Sequence, residues 1–383
     1  NTAVGYNAGV SLITGTQNTL VGANAGDSLT TGTNNVAIGF EALATEDEHS
    51  YNVAVGHRAL KTQNAGASAY NTAVGYNTGL SVTTGTLNTI VGGLAGDALT
   101  TGAENTALGY QAMTNANSTE SRNVAIGAYA LQGLDNGSTT NTYNVAVGYS
   151  AGILVSTGVN NTLIGSHAGD ALTTGTNNVA IEYEALSSQQ TDGQNVAIGV
   201  GALQNQNVSG HGNNTAIGLH AGNDITTGTG NTILGCSAGD ALTEGDNNII
   251  IGLSAAASAV GVNNEITLGD ANISAIRCQV QSISALSDER DKTNIKDSTY
   301  GLDYINSLRP VTFEWNNREE SVHKGTKDVG FIAQELQKVD DEYTKLVYES
   351  NPERLEASYA RLIPVLVKAI QDLSEEVKQL KNK

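Results

Sequence analysis

A serine hydroxyl stands five residues ahead of a lysine amine in the stretch Ser287-Asp288-Glu289-Arg290-Asp291-Lys292. Serine is a weak nucleophile until a neighbouring base takes its proton. Lysine can take it only where burial or a nearby positive charge lowers its hold on its own. Arg290 could supply such a charge, while Asp288 and Asp291 oppose it unless they turn outward. On spacing alone, a solvated, charged helix start with Ser287 as N-cap accounts for these six residues better.

Other reactive side chains are scattered. Glu182 and Glu184 read as two carboxylates on one face of a strand, with Glu41 at the same repeat position as Glu184. Cutting a polysaccharide would need such a pair, but this one is unrepeated and a solvated face explains it. The histidines, His49, His57, His167, His211, His220 and His323, form no cluster. Cys236 and Cys278 are too few for a disulfide framework and lack metal-ligand spacing. No metal and no cofactor is expected.

The elements that must position these residues change character at Ser287. Upstream lie Arg58, Lys61, Arg122 and Arg277 and no other lysine or arginine; the remaining 15 of 19 follow. All three prolines and Trp315 also follow, whereas only Gly301, Gly325 and Gly330 of the 44 glycines do. Net charge is −19, and most of the acidic excess lies upstream, where 19 acids face four bases. So acidic a chain is a poor ligand for nucleic acid or an anionic membrane, and no run of 18 apolar residues is present to insert into a bilayer. The chain starts at Asn1 inside a repeat, without an initiator Met or a signal peptide, so the C-terminal part of something longer is expected.

Residues 1–270 repeat one unit: Asn, Thr or Val, a small or aliphatic residue, Val/Ile/Leu, Gly, two variable residues, Ala. It starts at Asn1, Asn18, Asn35, Asn52, Asn71, Asn88, Asn105, Asn123, Asn144, Asn161, Asn178, Asn195, Asn214, Asn231 and Asn248, most often at a step of 17, and a frayed unit follows at Asn264. Asn1, Asn71, Asn144 and Asn214, 70 to 73 residues apart, each open a set of four distinct units. Length varies between units, as at Glu46–Ser50 and Gly133–Thr142, where loops tolerate it. Five residues with a β-branched fourth position favour a strand, and the glycine closing them supplies a turn. The Leu-Thr-Thr-Gly-Thr-Asn-Asn runs (Leu29–Asn35, Leu172–Asn178) are turn chemistry.

One short strand cannot hide its apolar side alone. Stacked copies can, and fifteen coils at strand spacing make a rod of roughly 70 Å. The asparagines then form a ladder, each amide donating to the carbonyl of the next. Both sides of the strand are apolar, so one is expected to line the coil interior and the other to meet partner chains. Glu182 replaces the turn glycine once, as an exposed, tolerated turn. Thr-Thr-Gly-Thr recurs about once in two units, too sparse for a flat threonine array that would bind ice.

The repeat resembles the head repeats of trimeric autotransporter adhesins and repeats in phage tail fibres, which implies a trimeric β-roll or β-helix; its 17-residue step is longer than the step of those heads. Downstream, Tyr300–Trp315 reads as a short helix, a turn at Pro310 and a strand, Asp328–Leu336 as a strand running into a helix, and Leu355–Leu380 as a helix. Leu362, Leu366, Ala369, Leu373, Val377 and Leu380 give that helix a coiled-coil seam, with Pro364 near its start and a coiled coil at about 355–381. Residues 271–286 alternate as connecting strands.

Ser287–Ile295, Gly301-Leu302, Leu308–Trp315, Gly330–Leu336, and Tyr359 with Leu362-Ile363-Pro364 and Ala369-Ile370 together resemble the intramolecular chaperone domain of phage tail spikes and fibres, the autocleaving domain of endosialidase spikes, from Ser287 to Lys383. The resemblance implies an α+β domain that trimerises, aligns three shaft strands and then releases itself by cutting Leu286–Ser287, with Ser287 as nucleophile and Lys292 as general base. It implies a homotrimeric phage tail fibre or spike in the virion, made in the host cytoplasm. Its expected partners are a host surface glycan or protein, and a baseplate or tail reached through a missing N-terminal part. A cellular trimeric surface adhesin with the same chaperone is the alternative, and a polysaccharide depolymerase a further one. A membrane-anchor barrel downstream would favour the adhesin; the sequence ends in Lys381-Asn382-Lys383 instead.

Overall fold

The computed structural model describes residues 1–115, 119–135, 141–191, 193–273, 275–277, 279, 287–316, 325–349, 351–353 and 355–382. They fall into two compact units, Asn1–Gly269 and Asp270–Lys383.

The first unit is a parallel β-solenoid. Sixteen strands of three residues, β1 (Thr2–Val4) to β16 (Ile266–Leu268), form one sheet in chain order, each pairing in parallel with the next. The strands are shorter than the five residues expected because both ends of the unit have other work. The leading asparagine is buried in a side-chain ladder, and the closing glycine turns the chain.

That ladder is continuous, with a different wiring from the one expected. The backbone N–H of each ladder residue donates to Oδ1 of the asparagine one coil earlier, from Asn18 on Asn1 (2.9 Å) to Asn248 on Asn231 (2.9 Å). In most coils Nδ2 reaches a backbone carbonyl fourteen residues on, as Asn18 does to Gly32 (2.8 Å) and Asn161 to Gly175 (2.9 Å). Side-chain amide to side-chain carbonyl bonds occur beside these in some coils, such as Asn161 to Asn144 (3.1 Å). The last coil is set one residue later than its Asn264 start suggested: Glu265 takes the ladder place, its N–H donating to Asn248 Oδ1 at 2.9 Å. Its carboxylate accepts from Ser258 N–H, Ser258 Oγ and Thr267 Oγ1.

The middle residue of each strand points inward. Leu20, Ala37, Ala54, Ile90 and Leu163 are fully buried, and with Ala25, Leu29 and their equivalents they form one core column. The first and last residues of each strand point outward; the last residues Val4, Ile38, Leu108 and Ile251 are all exposed. The turn glycine is required by geometry. At Gly148 φ is +144°, and an added Cβ would collide with the carbonyl oxygen of Gly165 one coil on. Glu182 takes this place with φ +90°, exposed, its carboxylate accepting Val200 N–H at 3.0 Å.

The second unit contains α1 (Leu302–Ser307), an antiparallel pair β17 (Val311–Glu314) and β18 (Lys327–Gly330), α2 (Ala333–Leu336), a second pair β19 (Val347–Tyr348) and β20 (Glu356–Ala357), and α3 (Leu362–Lys381). Helix α3 thus begins seven residues later than expected: residues 356–357 pair as a strand, and Tyr359–Arg361 form a 3-10 turn. Pro364 sits in the first turn of α3, where its missing N–H costs nothing. The seam also differs. Leu362, Val365 and Ala369 are buried against their own unit, while Ile363, Leu366, Ile370, Leu373, Val377 and Leu380 are exposed. Helix α1 occupies one side of α3: Asp372 accepts Leu302 N–H at 3.1 Å, and a Cβ on Gly301 would collide with the Asp372 carboxylate. Among the described residues no helix is long and apolar enough to cross a membrane.

Candidate functional site

The second unit is held by the motif residues themselves. Leu336, Leu346 and Leu362 form its small core, with Tyr304, Leu308, Phe331, Val347 and Ala357 against it. The Tyr359 hydroxyl accepts Phe331 N–H at 3.1 Å and leaves no room for a side chain at Gly330. Arg309 pairs with Glu335 through two hydrogen bonds, which holds the Glu335 carboxyl below its usual range. Asp340 gathers the N–H groups of Leu346 (2.7 Å) and Val347 (2.9 Å) and the Thr344 hydroxyl, fixing the turn that leads into β19.

At the start of this unit a single 3-10 turn, Glu289–Asp291, folds Lys292 back over Ser287. Lys292 Nζ donates to Ser287 Oγ at 2.6 Å and to the Ser287 carbonyl at 3.0 Å. The two sequence-selected residues therefore meet. Asp288, not Ser287, caps the turn, accepting Arg290 N–H at 2.9 Å. Asp288 also grips the Arg290 guanidinium at 3.0 and 2.6 Å, and this pairing holds its carboxyl down. Arg290 and Asp288 thus offset each other rather than acting on Lys292. Ser287 and Lys292 are both exposed in the single chain. Such a pair can pass a proton between hydroxyl and amine, provided the amine is first freed of its own.

Leu286, on the other side of the expected scissile bond, lies outside the described residues, as do Cys278, His323 and most of the connecting segment 271–286. Glu182 and Glu184 do not share a strand face. The strand ends at Ile181, and both glutamates sit in the turn that follows, at φ +90° and +54°. Glu184 bonds Gln204 at 2.6 Å, and Glu41 pairs with Arg58 and Lys61. These are coil-to-coil contacts of a turn, without the facing geometry that glycoside hydrolysis needs.

Sequence reasoning missed one group. Glu46, Asp47 and His49 bring three potential metal-ligand atoms within 4.8 Å of one another. Their crowding into four positions of one coil, residues 46–49, was the available signal. Glu46 is fully buried and already accepts from His49 Nδ1 (2.7 Å), His49 N–H (3.1 Å) and Gln63 Nε2 (3.0 Å), so the group is a closed hydrogen-bond network.

No curated protein matches the chain. Residues 287–348 match a family model described as chaperone of endosialidase. The match begins at the serine of the Ser–Lys pair and runs to the end of β19. A domain of this family, following a long parallel β-solenoid, fits a protein of the tail-fibre or endosialidase type.

Proposed function

We propose that this chain is a phage tail fibre or spike: a homotrimeric shaft for host attachment, with a C-terminal unit that starts assembly and then cuts itself free. The observation that carries the reading is the endosialidase-chaperone match in a chain whose other part is a solenoid of near-identical coils. Such coils can pair one step out of register with little penalty. A tail that associates first pins the ends together.

The exposed residues of α3 support that association. Ile363, Ile370 and Val377 occupy a positions and Leu366, Leu373 and Leu380 occupy d positions of an unbroken heptad pattern. In a parallel arrangement Glu376 at g faces Lys381 at e of the next heptad on a neighbouring copy, an attractive pair. The outer sheet face of the shaft, roughly 10 Å by 70 Å, offers about 700 Å², close to the 800 Å² per partner of a stable interface. A two-stranded assembly is the second reading, because β-branched a with Leu at d favours two strands in isolated coils.

In the proposed cleavage, assembly buries Lys292 and leaves its amine neutral. Lys292 takes the Ser287 Oγ proton as Oγ attacks the Leu286 carbonyl carbon. The Leu286–Ser287 C–N bond breaks, and the nitrogen receives the proton that Lys292 carries. Water opens the resulting ester, leaving a carboxylate on Leu286 and an amino terminus at Ser287.

Native and denaturing mass spectra of one preparation test both halves. A native mass of three shafts, with denatured fragments that meet at Leu286–Ser287 and sum to the intact chain plus one water, is expected. Ser287→Ala should give the same native stoichiometry and one full-length mass. A single full-length mass for the wild type as well would remove the cleavage, and a two-shaft native mass would replace the trimer with the dimer.

A further inference from the structure

Beyond the strand face, the shaft carries an ordered row of rings at one corner of the coil. Tyr110 and Tyr149 follow the turn glycine and Tyr183 follows Glu182 in its place, in alternate coils, and Tyr129 and His167 sit one residue further round in the coils between them. Successive rings meet edge-to-face, with centroids 5.7, 5.7, 5.5 and 6.3 Å apart. A second run, Phe40, His57 and Tyr76, is stacked at 5.3 and 5.1 Å. Gly93 alone separates the two runs, and a Cβ there would touch the Tyr110 ring at 3.6 Å.

These rings are not packed away. Tyr76, Tyr110, Tyr149 and Tyr183 keep 47% to 56% of their surface in solvent. Between the tyrosines the equivalent positions hold Gly93, Ala128 and Ser166, so that position itself carries a ring only in every second coil. The tyrosines recur every second coil, roughly 9.6 Å apart by strand spacing. Organised exposed aromatic surface marks a binding face more often than accident.

The polar surroundings select the ligand. Gln111 and Gln132 bond side chain to side chain at 3.4 Å beside Tyr110 and Tyr129. Asp170 holds His167 at 3.0 Å, and Glu184 lies beside Tyr183, bonded to Gln204. No lysine or arginine lies between Arg122 and Arg277, and Arg122 is committed to Glu104 and Tyr143. Half-exposed ring faces with amides and carboxylates at their rims suit a ligand with flat C–H faces and hydroxyl edges. The local negative charge repels an anionic one.

We propose that the ring ladder from Tyr76 to Tyr183 binds an extended neutral polysaccharide along the shaft, pyranose C–H faces packing on the tyrosines and hydroxyls bonding the flanking amides and carboxylates. This deepens the host-attachment reading and rests on it. The strand face remains for partner chains, because the ladder lies past the turn glycine.

The test runs the intact assembly in native gels containing hydroxyethyl cellulose, a galactomannan or hyaluronan. Retardation by at least one neutral polymer and none by hyaluronan is expected. Each of Tyr110→Ala, Tyr149→Ala and Tyr183→Ala should weaken it about two- to tenfold, from the usual worth of an aromatic contact. The corresponding Tyr→Phe variants keep the ring and should keep binding. No retardation by either neutral polymer, retardation by hyaluronan alone, or undiminished retardation of the triple alanine variant would overturn the proposal. A fall in native mass on Tyr149→Ala would also overturn it, by putting the rings between chains. The stoichiometry and cleavage of the wild type are read separately by mass, so failure of the ladder leaves the fibre reading standing.

Discussion

Asn161→Ala is the sharpest probe of what holds the shaft together. Asn161 is fully buried; its Oδ1 accepts the Asn178 N–H at 3.0 Å, and its Nδ2 donates to the Gly175 carbonyl at 2.9 Å. Truncation takes the side-chain partner from the buried N–H of Asn178 and the buried carbonyl of Gly175. Each orphan costs about 1–3 kcal/mol, so the loss should be about 2–6 kcal/mol. Asn205→Ala is the control, because Asn205 is exposed and its amide reaches Asn223 at 3.3 Å on the surface; its cost should stay within about 0.5 kcal/mol. The assay is denaturant unfolding of both variants, with amide exchange at Asn178 as the local readout. Asn161→Asp adds a sign test. The acid keeps the acceptor but loses the donor, and it sets a carboxylate against the Gly175 and Asn144 oxygens. Its folded-state pKa is therefore raised, so its stability should recover as pH falls and be lost as pH rises. Equal costs for Asn161→Ala and Asn205→Ala, with unchanged exchange at Asn178, would refute the ladder as the element that carries the shaft.

Three further outcomes are expected. Asp27, Asp97, Asp170 and Asp240 occupy one place in successive four-coil sets, and burial pushes all four carboxyls up. A raised folded pKa gives stability that is complete below the ordinary carboxylate range and lost as pH rises through the folded value. Asp97, whose Oδ1 is buried without a partner, should therefore gain about 1 kcal/mol at pH 7 on Asp97→Asn, a gain that vanishes in acid when thermal unfolding is followed against pH. Gly148→Ala forces a side chain into a left-handed turn and against the Gly165 carbonyl, and should cost about 3 kcal/mol or more in denaturant unfolding. Ile370→Lys on the exposed side of α3 should lower the native mass while circular dichroism stays unchanged; an unchanged mass would exclude the a/d face from assembly.

The parallel stack was legible because Asn and Gly recur at fixed offsets, and only coils in register let each asparagine meet the next. Strand length was not, since nothing in Asn-Thr-Ala-Val-Gly says that its first residue serves a side-chain ladder and its last a turn. Glu182 and Glu184 misled for that reason: alternation was carried past the glycine position, where it no longer applies. In α3, Leu362 and Ala369 satisfy a three-four spacing as well as Ile363 and Ile370 do. Only the packing of α1 against one side decides which residues stay free. The Ser287–Lys292 approach follows from a turn too short for periodicity to report. The tyrosine ladder escaped notice because its repeat spans two coils, so within any one unit the ring looks like an isolated exposed residue.

Glu265 gives the solenoid a finish. Every earlier rung presents an amide oxygen to the next N–H, so the row could in principle continue onto any coil of the same design, including the first coil of another molecule. Glu265 receives the row from Asn248, but Ser258 and Thr267 already occupy its oxygens. A row of open strands is a template for end-to-end pairing; here the last rung is a carboxylate already engaged by Ser258 of the coil before it and Thr267 of its own.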